Sequence, residues 1–223
     1  MEEGKRKSKA SGRARYIVVE GPIGVGKTSL ARILADVFQS RLVLEEVDKN
    51  PFLDRFYENR SKYAFQTQIF FLLSRYRQQR GLLQGNLFDK GLVSDYVFQK
   101  DKIFAYMNLE DDELNLYEAF FKLLGATIPH PDLVIYLQAK PEVLMHRLRK
   151  RNLDYERNIP LDYLKALSEA YNEFFFHYVE TPLLVVNTSE IDFVGSPRDL
   201  NHLIREIRGV KKGVQHYIPL GSI

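Results

Sequence analysis

The chain contains no cysteine. Disulfides, thiolate metal sites and cysteine nucleophiles are therefore excluded, and any chemistry must rest on oxygen and nitrogen groups. No apolar run is long enough to span a bilayer, and the N-terminus lacks the apolar core of a signal peptide. A cytoplasmic location without a membrane partner is expected. Internal repeats are missing, and no low-complexity linker follows the first fourteen residues. Excess charge of one sign is also scarce, because 32 Lys+Arg face 29 Asp+Glu for a net charge of +3. Much of that excess falls in Lys5, Arg6, Lys7, Lys9, Arg13 and Arg15. A basic segment of this kind either touches nucleic acid or an acidic surface, or remains a solvated arm. Residues 1–14 are read as a disordered arm, with no nucleic-acid partner expected. The remainder, 15–223, suits one domain with a sizeable core, given a 223-residue chain that is 45% hydrophobic.

What is present is concentrated first in Gly21-Pro22-Ile23-Gly24-Val25-Gly26-Lys27-Thr28-Ser29. This stretch, with Leu30 after it, follows the apolar run Tyr16–Glu20 and precedes the helical pattern Ala31–Phe38. It fits G-x-x-x-x-G-K-[ST] without a mismatch, in the strand–turn–helix context the motif requires. Glycines at 21, 24 and 26 let successive N–H groups turn inward around a phosphate, at the positive end of the next helix. Lys27 would reach the outer phosphates, and the Thr28 hydroxyl would hold Mg²⁺. An ordinary glycine turn is the bland alternative. The complete motif favours binding of a nucleoside triphosphate.

β-rich runs alternate with helical patterns along the rest of the chain. Strands are expected at Arg15–Glu20, Arg41–Val47, Gly91–Asp95, Asp132–Gln138 and Leu183–Asn187. Helices are expected at Lys27–Gln39, Lys62–Gln84, Val97–Met107, Asp111–Leu124, Pro141–Arg151, Pro160–Val179 and Pro197–Arg208. This order predicts an α/β fold of the P-loop NTPase type, a three-layer α/β/α arrangement with a five-stranded parallel sheet. Ligands in such sheets bind beyond the carboxyl ends of the strands.

The strand ends therefore carry the candidate chemistry. Glu45 or Glu46, closing the second strand, suits a base that accepts a proton from an attacking hydroxyl, or is simply solvated. Asp95, closing the third, suits Mg²⁺ or an N-cap for the helix starting at Val97. On the long helix, Gln68 and Arg75 lie near one face, two turns apart, and a glutamine presents a donor and an acceptor to a nucleobase edge. The charged stretch Arg147–Arg157 reads as a solvated helix end or as a lid that closes arginines over a triphosphate.

These residues, together with YIVVEGPIGVGKTSLA, VLEEVDKNPFLDRFY, FQTQIFFLLSRY, VSDYVF, PEVLMHRLRKR and IPLDYLKAL, resemble the deoxynucleoside kinases from Tyr16 to about Phe193. The resemblance implies transfer of the ATP γ-phosphate to a deoxynucleoside 5′-hydroxyl, with Mg²⁺, in nucleotide salvage. It implies Glu45 as the general base and Tyr57 with Glu156 on the sugar 3′-hydroxyl. Gln68 would read the base edge, with Arg75 and Asp101 on a purine or cytosine. Phe65, Phe71 and Phe104 are candidates to pack on the base. Arg147 and Arg151 would be lid arginines. Asn187–Phe193, including Asp192 and Phe193, would contact the donor adenine. Members are commonly homodimers, and helices Lys62–Gln84 and Asp111–Leu124 could supply that interface.

One departure stands out. Many members carry an arginine after the acid at the end of the third strand, and here that position is Tyr96. Spacing offers Lys100 or Lys102 as a replacement. A second lid position holds Leu153. A nucleoside monophosphate kinase of the thymidylate kinase type is the alternative enzyme, and a non-catalytic nucleotide-dependent binding protein the alternative class.

Overall fold

A computed structural model describes residues 15–83, 91–157 and 159–219. The expected basic arm at 1–14 and the end of the long helix at Gln84 lie outside the described residues. The first strand, β1 (Tyr16–Glu20), runs into the glycine loop and then α1 (Lys27–Val37). Beyond it come β2 (Arg41–Val43), α2 (Leu53–Glu58), α3 (Arg60–Leu83), β3 (Leu92–Ser94), α4 (Lys100–Asn108) and α5 (Asp111–Gly125). The second half adds β4 (Leu133–Gln138), α6 (Pro141–Arg151), α7 (Leu161–Phe176), β5 (Leu183–Asn187), α8 (Pro197–Gly209) and β6 (Val214–Tyr217).

All pairings are parallel, in the order β2-β3-β1-β4-β5-β6. In β4 the consecutive residues Leu133–Leu137 are all buried. Successive side chains alternate between faces, so both faces of the sheet are covered. A second, smaller cluster of Leu72, Phe98, Ala105 and Tyr117 joins α3, α4 and α5.

The sheet has six strands, not five. The sixth escapes the sequence pattern because Val214-Gln215-His216-Tyr217 is an exposed edge whose two adjacent polar residues break any alternation, and it has no buried apolar face. Helix α2 is also unanticipated, since its six residues bury only Leu53 and Phe56. Two boundaries shift for a shared reason. β2 ends at Val43 rather than Val47, because the Glu45 N–H leaves the ladder and donates to Asp95 Oδ1 at 2.7 Å. The helix expected at Val97 starts at Lys100, because the Val97 N–H donates to Glu20 Oε2 at 2.9 Å. Carboxylates at strand ends thus capture the backbone where the site is built.

Gly21 ties the loop to the sheet. Its φ is +152°, and an added Cβ would lie 2.4 Å from the Leu137 carbonyl oxygen. That oxygen belongs to a central strand and has no room to move. Gly21→Ala is expected to cost on the order of 3 kcal/mol from overpacking and backbone strain. Urea unfolding checks this, and a midpoint within error of the parent chain would contradict it.

Candidate active site

The glycine loop is shaped for an anion. Gly24 and Gly26 have φ of +83° and +105°, and α1 starts at Lys27 without a side-chain cap. The first amides of α1 are therefore left for a ligand. Lys27 Nζ lies across its own loop, donating to the Gly21 and Pro22 carbonyl oxygens at 2.8 and 3.1 Å. Burial, and next the repulsion of Lys100, push this lysine down to about 8, against the pull of Glu20, Glu45 and Asp95. A phosphate would compensate that desolvated charge.

Thr28 and Asp95 come together as expected for a shared task. Thr28 Oγ1 donates to Asp95 Oδ2 at 2.6 Å. Asp95 caps no helix, since α4 begins five residues later and Asp95 Oδ1 is taken by the Glu45 amide. A hydroxyl and a carboxylate beside a phosphate loop are the hard oxygen donors Mg²⁺ takes. Among the described residues no group of three or more His, Asp or Glu could hold a metal ion. Thr28 Oγ1 and Asp95 Oδ2 are both hard oxygen donors, and in that respect suit Mg²⁺.

Behind them runs a chain of buried charges. Glu45 Oε1 accepts from Arg75 Nε at 2.7 Å, with Arg75 NH2 2.5 Å away, and Glu45 Oε2 accepts from Lys100 Nζ at 2.6 Å. Burial works against the Glu45 charge, but Arg75 and then Lys100 outweigh it and bring its pKa down to about 2. Arg75 NH1 continues to Asp101 Oδ2 at 2.6 Å. Burial pushes Asp101 up to about 6 in spite of Arg75. Gln68 Nε2 donates to the Asp101 backbone oxygen at 2.8 Å and to its carboxylate. Glu46 faces away, paired with Lys49 near the surface, so Glu45 is the strand-end acid inside the site.

A cavity of about 250 Å³ opens beside this chain. Lys27, Thr28, Glu45 and Asp95 line one end, and Tyr57, Arg151 and Glu156 another. Gln68, Arg75, Phe71 and Phe104 are in its wall. Arg75 also lies over the Phe71 ring, and Phe104 meets Tyr171 edge-on. Two expectations need correction here. Asp101, expected against a base, is completely buried one layer back, behind Gln68 and Arg75. Phe65 is not among the lining residues, being one position off the face that carries Gln68 and Phe71. Sequence reasoning missed Leu53 and Phe56 of α2, and Asn108, Tyr163 and Tyr171. An aromatic at helical spacing reads as core, and both tyrosines do belong to the core.

A second groove lies on the other side of the loop. It is lined by Gly24–Ser29, by His146, Arg147, Lys150 and Arg151 of α6, and by Ile191–Gly195. Asp192 Oδ1 accepts from the Val194 and Gly195 amides and holds that segment in a turn. The Phe193 ring is buried against Gly26, where an added Cβ would meet it at 2.9 Å. The lid reading of Arg147 is corrected. Its guanidinium donates to the Val25 oxygen (3.1 Å) and to the Thr188 hydroxyl (3.1 Å) and carbonyl (2.8 Å). It pins α6 to the loop while lining this groove, so it is a fixed group and not a mobile lid arginine. Arg151 is paired with Glu156, its Nε 3.0 Å from Oε2, so two groups expected to act separately are in contact. Gly24, Lys27, Thr28 and Arg151 line both cavities.

Two ligand cavities that meet at one anion-binding loop describe a nucleotide-dependent phosphotransferase of the P-loop class. Residues 17–211 match the deoxynucleoside kinase family, and the chain belongs to that family. It is 33% identical over 201 residues to a deoxyguanosine kinase of Bacillus subtilis (strain 168), covering 87% of this chain and 97% of that protein. It is 36% identical over 205 residues to a deoxyadenosine kinase of Dictyostelium discoideum, covering 88% and 80%. The solved structure of a deoxyadenosine kinase from M. mycoides with bound dATP superposes with a TM-score of 0.75 at 22% identity, over 87% of this chain and 99% of that one.

Proposed function

We propose that the enzyme moves the γ-phosphoryl group of ATP to the 5′-hydroxyl of deoxyadenosine, deoxyguanosine or deoxycytidine. The sharing of Gly24, Lys27, Thr28 and Arg151 by two cavities carries this reading. A donor in the α6 groove and an acceptor beside Glu45 would meet at those residues and nowhere else along their lengths. The 5′-oxygen bonds to the γ-phosphorus as the bond to the β–γ bridging oxygen breaks, and that electron pair leaves with the diphosphate. Glu45 accepts the hydroxyl proton and later passes it to solvent. Loop amides and Lys27 bind the phosphates, and Arg151 faces the transferring group from the lid. Thr28 and Asp95 would hold Mg²⁺, which supplies neutralising charge on the phosphates.

Tyr57 and Glu156 are assigned to the 3′-hydroxyl. Gln68 must turn its NH₂ toward Asp101, because both atoms it meets there are acceptors. Its Oε1 is thereby left as an acceptor for the base. Adenine, guanine and cytosine carry an exocyclic amine and thymine does not. Turnover of the four common deoxynucleosides with Mg-ATP tests the assignment, and at least one amine-bearing base is expected to exceed thymidine in kcat/KM by about tenfold or more, the worth of roughly one hydrogen bond. A thymidine preference would refute the base assignment. Faster turnover of deoxynucleoside monophosphates would favour the monophosphate kinase alternative, which Glu45 and Glu156 oppose by repelling an anionic acceptor.

The body from residue 15 onward is read as a single domain, located in the cytoplasm. Among the described residues no helix is long and apolar enough to cross a membrane. Exposed Leu73 of α3 and Leu116, Phe120 and Leu123 of α5 support a homodimer through these helices.

A further inference from the structure

Six lysines and arginines line the two cavities among the described residues; Lys150 is exposed and lines the donor groove alone, and four of the others are already held by the protein. Lys27 spans two carbonyl oxygens of its loop. Arg75 spends Nε and NH2 on Glu45 and NH1 on Asp101. Arg147 is held by Val25 and Thr188, and Arg151 by Glu156. Lys100 differs. It is 3% exposed and lines the acceptor cavity. An ammonium has three N–H donors. One goes to Glu45 Oε2 at 2.6 Å, and Glu20 Oε1, at 3.9 Å, is beyond hydrogen-bond reach. Among the described residues nothing else accepts from it. A buried ammonium with unspent donors, facing a cavity and repelling Lys27, calls for an anion between the two lysines.

We propose that Lys100 is a catalytic residue, holding Glu45 toward the acceptor with one N–H and receiving an oxygen of the transferring phosphoryl group with another. This rests on the kinase reading above. It also accounts for the tyrosine after the strand-end acid: Tyr96 is completely buried and does not line the cavity, so it supplies no charge there. The positive charge comes instead from Lys100, the first residue of α4, four positions on. Lys102 is excluded, since its Nζ lies over the Phe121 ring and borders a separate groove toward α5 and α7. Lys100 acts through hydrogen bonds alone, and the bonds made and broken are those already given.

The chain's lack of cysteine permits a direct test. Lys100→Cys creates a unique thiol, and 2-bromoethylamine converts it to a side chain of lysine length with a terminal ammonium. Iodoacetamide gives a neutral side chain at the same place. Lys100→Cys is expected to lose about 10²- to 10³-fold in kcat with a smaller change in the deoxynucleoside KM, the effect of removing one transition-state donor. Aminoethylation should restore at least a tenth of the parent kcat, and carbamidomethylation should not. Lys102→Met should match the parent. Calorimetry on Lys100→Met gives a readout independent of turnover: affinity for ADP should hold, while that for β,γ-methylene-ATP falls several-fold. Turnover of Lys100→Cys within threefold of the parent, equal rescue by both reagents, or equal loss of both nucleotides would overturn the role of Lys100 alone. A parent chain that phosphorylates no deoxynucleoside would overturn the kinase reading and this one together.

Discussion

Lys27→Ala is expected to lower kcat/KM by about three orders of magnitude, the upper end for removing one preorganised charge from a phosphoryl-transfer site, while the melting temperature moves by only a few degrees. The two effects separate because of where the side chain sits. Nζ spans the Gly21 and Pro22 carbonyl oxygens, and burial already disfavours its charge. Truncation removes two hydrogen bonds, but it also removes a desolvated ammonium facing another in Lys100. In the loaded protein the same ammonium would meet the outer phosphates where the two cavities join, whereas Lys150 lines the donor groove alone. Steady-state kinetics beside a thermal melt make the comparison. Near-parental turnover would withdraw the phosphate assignment, and a collapse of the melt would show that Lys27 holds the loop together.

The parts legible in the sequence are those whose physics is local. The glycine loop is read from spacing because each glycine answers a backbone demand, and the continuous apolar runs of β4 and β5 announce doubly covered strands. What stayed hidden depends on partners distant in the chain. Nothing near residue 45 says that β2 stops at Val43, because the capture comes from Asp95. Nothing near Val97 says that its amide turns to Glu20. Spacing left Lys100 and Lys102 as equals, and the turn of α4 separates them, sending one to Glu45 and the other onto Phe121. Arg147 reads as a mobile lid group because Thr188, its main anchor, follows a strand forty residues later. The weak, solvated β6 offers too little apolar contrast for any periodicity to reveal it.

Arg75→Leu is expected to destabilise the fold by about 3–5 kcal/mol, the cost of breaking a buried ion pair by removing one partner. For a chain of this length that lowers the melting temperature by about 10 °C. The reason lies in how the charges are chained. Glu45 keeps Lys100 when the guanidinium goes, but Asp101, completely buried, keeps Gln68 and no cation in contact. Asp101 already resists ionisation, its pKa pushed up to about 6 by burial with Arg75 as the chief opposing influence. Without Arg75 it would hold a proton at neutral pH or unfold its surroundings. Removing both members should therefore cost less than the sum of the two single changes. Arg75→Leu/Asp101→Leu is expected to recover about 1–3 kcal/mol of coupling relative to additivity. Urea unfolding of the parent, both single variants and the double variant closes the cycle. Strict additivity would mean that the two side chains act independently, and that the charge chain from α3 to α4 does not hold Glu45 in place.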